Sequence, residues 1–334
     1  MIELVRERPW ASTSRVPVAG GHVWFKSCAP AQAFEPGLSV GLFSRWPDRV
    51  AEVIGHEEQR SWLLLSDAGT SIGKLGHELE SWLTVLPLYA ELQRGEIAYT
   101  EAHLAAGVPN MRMAALAGRY EDLVQHELPL EGNELAGLRA FAPRFAGLCD
   151  ELAAQGIPEV VQHDDLHAAN VYTEGETIRV LDWGDASIAH PFFSLVVTFR
   201  FLEEQHGLPR NDPWFARLRD AYLEPWGGNT LVETFALALR VGIFAHAIAW
   251  LRQREHLPEH AQPAFDEWFR VVLRRAVGYT LDQAVVPREP STGNARRCDC
   301  LEGVGRGGRT LAGRSSASAP SADGPQGIRI ARPF

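Results

Sequence analysis

His163-Asp164-Asp165-Leu166-His167-Ala168-Ala169-Asn170 is the stretch on which the reading of this chain turns. It spells H-x-D-x-x-x-x-N. Twelve residues further on, Asp182-Trp183-Gly184-Asp185 follows directly on the apolar run Ile178-Arg179-Val180-Leu181. Between the two, Val171-Tyr172 and Ile178–Leu181 read as short strands, with Glu174-Gly175-Glu176 as the turn of a hairpin. A hairpin brings its ends together, so a loop carboxylate, an asparagine and a second carboxylate converge at one mouth. Phosphoryl transfer to a hydroxyl needs such a set. One aspartate accepts the proton of the attacking hydroxyl, while an asparagine and another aspartate hold Mg²⁺ against nucleotide phosphates. Oxygen donors suit a hard cation that keeps several waters. Singly, these residue types are ordinary turn and cap residues; four at fixed spacing in a strand–turn–strand setting carry chemistry.

Outward from that stretch, the chain changes character twice. Ile2–Arg6, Ser14–Val18 and His22–Lys26 are β-like runs, the last two joined at Gly20-Gly21. A helix is expected over Glu35–Arg45, closed by Trp46-Pro47. Val50–Ile54 and Trp62–Leu65 are two further strands. From Ile72 the apolar residues recur at helical spacing through Leu75, Leu79, Trp82, Leu83 and Leu86. Further helices are read over Leu116–Val124, Leu135–Gln155, Trp214–Leu223, Leu231–Arg254 and Pro263–Tyr279, with a short strand near Val160-Val161. The division is therefore 1–69, mostly β; 70–286, mostly helical; and 287–334, a Gly/Ser/Ala/Pro/Arg-rich tail expected to be disordered.

The 334 residues are 46% hydrophobic and 22% charged, a globular composition of more than one small core. The formal charge is −10, and the tail holds eight arginines against four acids, leaving −14 on the residues before it. That balance argues against nucleic acid as a partner and weakly favours a cationic ligand. Four scattered cysteines do not form a disulfide framework. The N-terminal MIELVRERPW lacks an apolar signal core, and Phe235–Leu251 carries Arg240 and His246, so it reads as a buried helix and not a membrane span. A cytoplasmic location without membrane attachment is the expectation; the oligomeric state is not legible. Of 32 basic residues only Lys26 and Lys74 are lysines, so the position of a lysine carries information.

These motifs resemble the aminoglycoside phosphotransferase family, whose signature is H-G-D-L-H-x-x-N followed by a strand ending in I/L-D-W. The resemblance covers residues 1 to 285, most specifically His163–Asn170 and Asp182-Trp183. It implies an α+β, two-lobed protein-kinase-like fold with a small β-rich N-lobe and a larger, mainly helical C-lobe. It also implies an ATP- and Mg²⁺-dependent transfer of the γ-phosphoryl group to a hydroxyl of a small molecule. Asp165 would be the catalytic base, Asn170 and Asp182 the Mg²⁺ ligands, and His163 a brace for the loop. Lys26, ending the third strand, would grip the phosphates with Glu35 as its partner, although Glu35 also reads as a carboxylate on the helix dipole. Ser66, Asp67 and Ala68 would be the hinge that reads adenine through its backbone. Asp164 stands where the family has glycine. Asp185 is open between a metal or substrate ligand and a helix N-cap.

Glu7–Thr13, between the first two strands, contains no glycine, so phosphate would be met there by Ser12 and Thr13 and not by a glycine-rich loop. That gap supports a second reading, a nucleotide-binding pseudokinase that senses or scaffolds. A third, a metal phosphohydrolase of the HD type, takes His163-Asp164 as its H-D pair and needs an upstream histidine, His103 or His126.

Overall fold

The computed structural model describes residues 1–175 and 177–285, with backbone only for 282–285; the proposed tail, 287–334, lies outside the described residues. Five antiparallel strands open the chain: β1 (Glu3–Arg8), β2 (Ala11–Val18), β3 (Gly21–Cys28), β4 (Val53–Glu57) and β5 (Trp62–Leu65). Their order in the sheet is β1-β2-β3-β5-β4. One helix, α1 (Glu35–Arg45), interrupts them, opened by Pro36 in its first turn and ended before Pro47.

The register corrects one expectation. Arg8 pairs with Ala11, so β1 and β2 are joined by a two-residue turn at Pro9-Trp10. Glu7, Ser12 and Thr13 are ladder residues, and the seven-residue phosphate loop does not form. Trp10 leaves the sheet instead, its carbonyl accepting from Ala29 N–H at 2.9 Å and its ring meeting Phe265 edge-on at 6.1 Å. A bulky ring that can be half-buried outweighs the polar character of its neighbours.

Ser66–Gly69 leads from β5 to β6 (Thr70–Ser71), which pairs with β8 (Val171–Glu174) and through it β9 (Thr177–Val180). Gly69 has φ +93°, and a Cβ there would lie 2.3 Å from the Thr173 carbonyl oxygen. Only glycine permits that approach. A second small ladder pairs β7 (Val160–Gln162) with β10 (Ser187–Ala189).

The remainder is helical: α2 (Glu78–Glu96), α3 (Thr100–Ala105), α4 (Met113–Gln125), α5 (Gly132–Ala153), α6 (Ser194–His206), α7 (Pro213–Leu223), α8 (Val232–Glu255) and α9 (Gln262–Val285). The sequence reading missed α6 and β10 and began β4 three residues early. In α6 the run Leu195–Phe201 is apolar nearly all round because the helix is buried, which erases the periodicity that marks an amphipathic helix. Its neighbour α8 is buried in the same way: its Phe244 meets Tyr120 edge-on at 5.5 Å and Phe145 at 5.0 Å, and those two rings lie 4.5 Å apart. Each such ring removes apolar surface worth roughly 1.5–3 kcal/mol from water. Gly228–Glu255 is the one stretch among the described residues long and apolar enough to cross a membrane, and 67% of its apolar window is buried inside the protein.

Glu96 ties the first helix to the helical part. Its buried carboxylate receives both Arg45 nitrogens at 2.7 and 2.6 Å, the Trp46 indole N–H at 2.8 Å, and His103 at 2.7 Å. Burial resists ionisation there, yet His103 and Arg45 hold the carboxyl below its ordinary range. The frame on which the β-sheet meets α2 is therefore polar but fully partnered.

Candidate active site

Asp165, Asn170 and Asp182 come together at the ends of the β8–β9 hairpin. Leu181 N–H donates to the Asn170 carbonyl at 2.8 Å, closing the two ends of that hairpin onto each other. The Asn170 amide donates to the Asp165 backbone carbonyl at 3.0 Å and to its Oδ2 at 3.1 Å. Those bonds use the side-chain N–H groups and leave Asn170 Oδ1 as an acceptor. Asp182 is in the left-handed region at φ 66°, ψ 57°, a strained conformation for a residue with a Cβ and one that recurs at functional sites. It turns a carboxylate out of the β9 line, with 37% of the side chain still exposed.

His163 braces this arrangement. Its Nε2–H donates to the Leu181 carbonyl at 2.9 Å, and its Nδ1 accepts from the Asp165 backbone N–H at 3.2 Å. Burial lowers its pKa, so the ring is neutral and both nitrogens are used in fixed roles. The ring packs 4.9 Å from Trp183. Asp164, in the position of the family's glycine, has no positive φ, so the backbone beside the base needs no glycine.

Lys26 is buried to 9% exposure and sits in β3 between Thr13 and Leu63. Its ammonium donates to Glu35 Oε2 at 2.6 Å and to Asp182 Oδ1. Glu35 is only 2% exposed and stands at the first position of α1. The two readings of Glu35 thus coincide: it starts the helix and it faces Lys26. Burial disfavours the ammonium, but the Asp182 and Glu35 charges outweigh it and raise the Lys26 pKa. Lys74 sits exposed on a short helical turn at Ile72–Lys74.

The hinge residues stand apart from that cluster. Ser66 N–H donates to the Glu52 carbonyl at 3.0 Å, Asp67 pairs with His22 at 3.0 Å and accepts from Gly69 N–H at 3.1 Å, and Ala68 is buried. They form the connection between the five-stranded sheet and β6.

Two further residues join the cluster, His167, to which the sequence reading gave no role, and Asp185, which it left open. His167 Nε2 lies 3.3 Å from Asp165 Oδ2, with its ring stacked on Phe201 at 4.5 Å. Burial resists charge on both partners, but their mutual attraction lowers the Asp165 carboxyl to about 2 and raises the His167 imidazole. The signal was present, since His167 lies inside the motif, but no spacing rule assigns it to the base. Asp185 is no N-cap: it closes the turn Trp183–Asp185 and is followed by extended chain. The Gln253 and Gln32 amides donate to it at 2.5 and 3.3 Å. Burial, and then the Asp165 and Asp182 charges, push its carboxyl up to about 7. His103 and His126, the upstream histidines of the hydrolase reading, are engaged elsewhere, with Glu96 and with the Asp122 carbonyl.

Comparison with known proteins gives the same frame. The model of the phosphotransferase enzyme family matches residues 81–237, a span that contains the whole of His163–Asp185. The His163–Asp185 segment thus resembles that family, as the motif implied, while the sheet carrying Lys26 lies outside the match. Solved structures cover both parts. A choline kinase from Streptococcus pneumoniae is 11% identical with a TM-score of 0.55, over 82% of this chain and 93% of that one. An ethanolamine kinase from Plasmodium vivax is 11% identical with a TM-score of 0.61, over 86% and 84%. Amicoumacin kinase, in complex with AMP-PNP, Ca²⁺ and Ami, is 10% identical with a TM-score of 0.54, over 82% and 88%. The protein-kinase-like α+β fold follows from these. No curated protein sequence matches the chain.

Proposed function

We propose that this phosphotransferase moves the γ-phosphoryl group of ATP, with Mg²⁺, to a hydroxyl of a small molecule. The observation that supports it best is the Lys26 ammonium, from the sheet, held between Glu35 of α1 and Asp182, beside the Asn170–Asp165 pair. Asp165, 31% exposed and ionised, can accept a proton from an incoming hydroxyl while Asn170 and His163 fix its orientation. Asn170 Oδ1 and the Asp182 carboxylate would be the donors for the metal. Among the described residues no three His, Cys, Asp or Glu side chains form a cage. That suits Mg²⁺, which takes one or two carboxylates and completes its shell with water and phosphate oxygens. Bound there, the ion would neutralise the charge developing between the β- and γ-phosphates. Lys26 would add a point charge on the phosphates, and Ser66–Ala68 backbone groups would meet the adenine. Amicoumacin kinase, crystallised with AMP-PNP and Ca²⁺, supports nucleotide and divalent-metal use in this fold. We take residues 1–69 as the nucleotide side and 70–286 as the catalytic and acceptor side.

The Pro9-Trp10 turn, too short to wrap phosphate, favours the second reading of a nucleotide-binding sensor. Calorimetry with Mg·ATP tests the proposal: the parent binds, Asp182→Ala loses the Mg²⁺-dependent part, and ADP accumulates slowly in the parent alone. Binding without any ADP would leave the sensor reading.

A further inference from the structure

A cavity of about 850 Å³ lies between α6, α7, α8 and α9. Its wall is largely apolar, with Val197, Phe215, Phe235, Ile243, Val272 and Tyr279 among the lining residues. One polar side chain from the middle of α8 belongs to that wall. His246 is 6% exposed, and its Nδ1 lies 3.0 Å from Asp164 Oδ2. Its other nitrogen, Nε2, is buried without a hydrogen-bond partner.

The orientation of that pair is fixed by the carboxylate. Facing Asp164, Nδ1 carries a proton, and Nε2 is the nitrogen left to bond a ligand. A buried polar nitrogen with no partner is costly to maintain. A hydroxyl entering the cavity would satisfy it. Two residues of the wall link it to the loop that carries Asp165: His246 meets Asp164, the residue before it, and Arg200 lies within electrostatic reach of both aspartates.

We propose that this cavity holds the acceptor, and that His246 Nε2 makes a hydrogen bond with one hydroxyl of a bulky, mainly apolar polyol while a second hydroxyl faces Asp165. This deepens the phosphotransferase reading and rests on it. In the transfer, the second hydroxyl's oxygen bonds to the γ-phosphorus as the bond to the β–γ bridging oxygen breaks. The hydroxyl proton passes to Asp165, and ADP leaves. The volume falls in the range of small-molecule sites. The wall carries no carboxylate surplus to attract a polycation: Arg274 meets Glu134 at 2.9 Å, Arg219 meets Asp220 at 2.7 Å, and Arg210 meets Glu203 at 3.7 Å. The acidic balance of the whole chain is therefore no guide to the acceptor. His246 acts as a specificity residue, set in its orientation by Asp164.

Two rigid or compact polyols separate the possibilities: estriol, an apolar triol, and kanamycin, a polycationic one. Calorimetry without nucleotide reads the cavity independently of phosphoryl transfer. Estriol is expected to bind the parent, and kanamycin at least tenfold more weakly. Gly278 lines the cavity, and a Cβ there meets nothing within 4 Å, so Gly278→Leu extends into the space while improving helix propensity. That variant should bind estriol at least tenfold more weakly. His246→Phe should weaken it about fivefold or more, and His246→Gln, whose amide reaches the Nε2 position, should recover part of the loss. Estriol binding no tighter than kanamycin, or equal binding by parent and Gly278→Leu, overturns the proposal. ADP release with Mg·ATP is read separately. Turnover with kanamycin and indifference to estriol would keep the phosphotransferase reading and remove the cavity assignment. Estriol binding without any turnover would keep the cavity and remove phosphoryl transfer.

Discussion

His163 Nε2 donates to the Leu181 carbonyl at 2.9 Å, and so locks the catalytic loop to the residue just before Asp182. The proposed base and metal ligand are thereby held as one unit by a fully buried ring. His163→Phe keeps the packing on Trp183 but leaves the Leu181 carbonyl and the Asp165 N–H without their partner. It should lower kcat at least tenfold while leaving nucleotide KM within about threefold, because positioning and not binding is lost. Steady-state kinetics checks the split; a rise in KM with kcat unchanged would assign His163 to binding.

Lys26 and Glu35 are both nearly inaccessible, so removing one strands the other. Lys26→Met should cost about 3–5 kcal/mol of stability in addition to catalysis, the range for breaking a buried pair. The double variant Lys26→Met/Glu35→Gln should recover a good part of that loss. Urea denaturation measures both. Equal stability of parent and single variant would mean that the ammonium is solvated and not held as the geometry has it.

The His167–Asp165 pair predicts a pH dependence of definite sign. Asp165 raises the folded-state pKa of His167 above its ordinary 6.5, so the folded state binds that proton more tightly than the unfolded chain. The pair's contribution is complete below about pH 6.5 and is lost as pH rises through the folded-state value. The Tm difference between parent and His167→Gln should therefore be largest near pH 6 and shrink on the alkaline side. A difference that grows with pH would contradict the pairing.

Glu96 offers a control far from the chemistry. Glu96→Gln keeps the shape but leaves Arg45 with a weaker partner and turns one acceptor into a donor facing His103 or Trp46. A loss of about 3 kcal/mol with kcat of the folded protein unchanged is expected, read by denaturation and by kinetics at low temperature.

What was legible in the sequence followed from local rules. Glu35–Arg45 is bounded by proline on both sides and was read to the residue. The strand pair around Glu174-Gly175 was visible because its turn is obligatory. What was hidden depends on burial. In α6 the apolar residues run on every face, so no period marks the helix. At Pro9-Trp10 the ring finds Phe265, more than 250 residues away, and the turn tightens around that contact. The motif residues Asp165, Asn170 and Asp182 could be picked out, but His167 stacks on Phe201 of α6, Asp185 accepts from Gln253 of α8, and His246 of α8 reaches Asp164, so each depends on a helix that carries no motif of its own. Their importance is readable only once α6 and α8 are in place.

The central claim is that Asp165 deprotonates a hydroxyl that then takes the γ-phosphoryl group. Phosphorus NMR of Mg·ATP with the parent and an accepted alcohol should show a new phosphomonoester signal growing in step with ADP. With Asp165→Asn, correctly folded and still binding Mg·ATP, that growth should slow by about 10²–10⁴, the span of a positioned general base. Phosphomonoester formation within threefold of the parent rate in Asp165→Asn, or inorganic phosphate as the only product from the parent with every alcohol, would contradict the account.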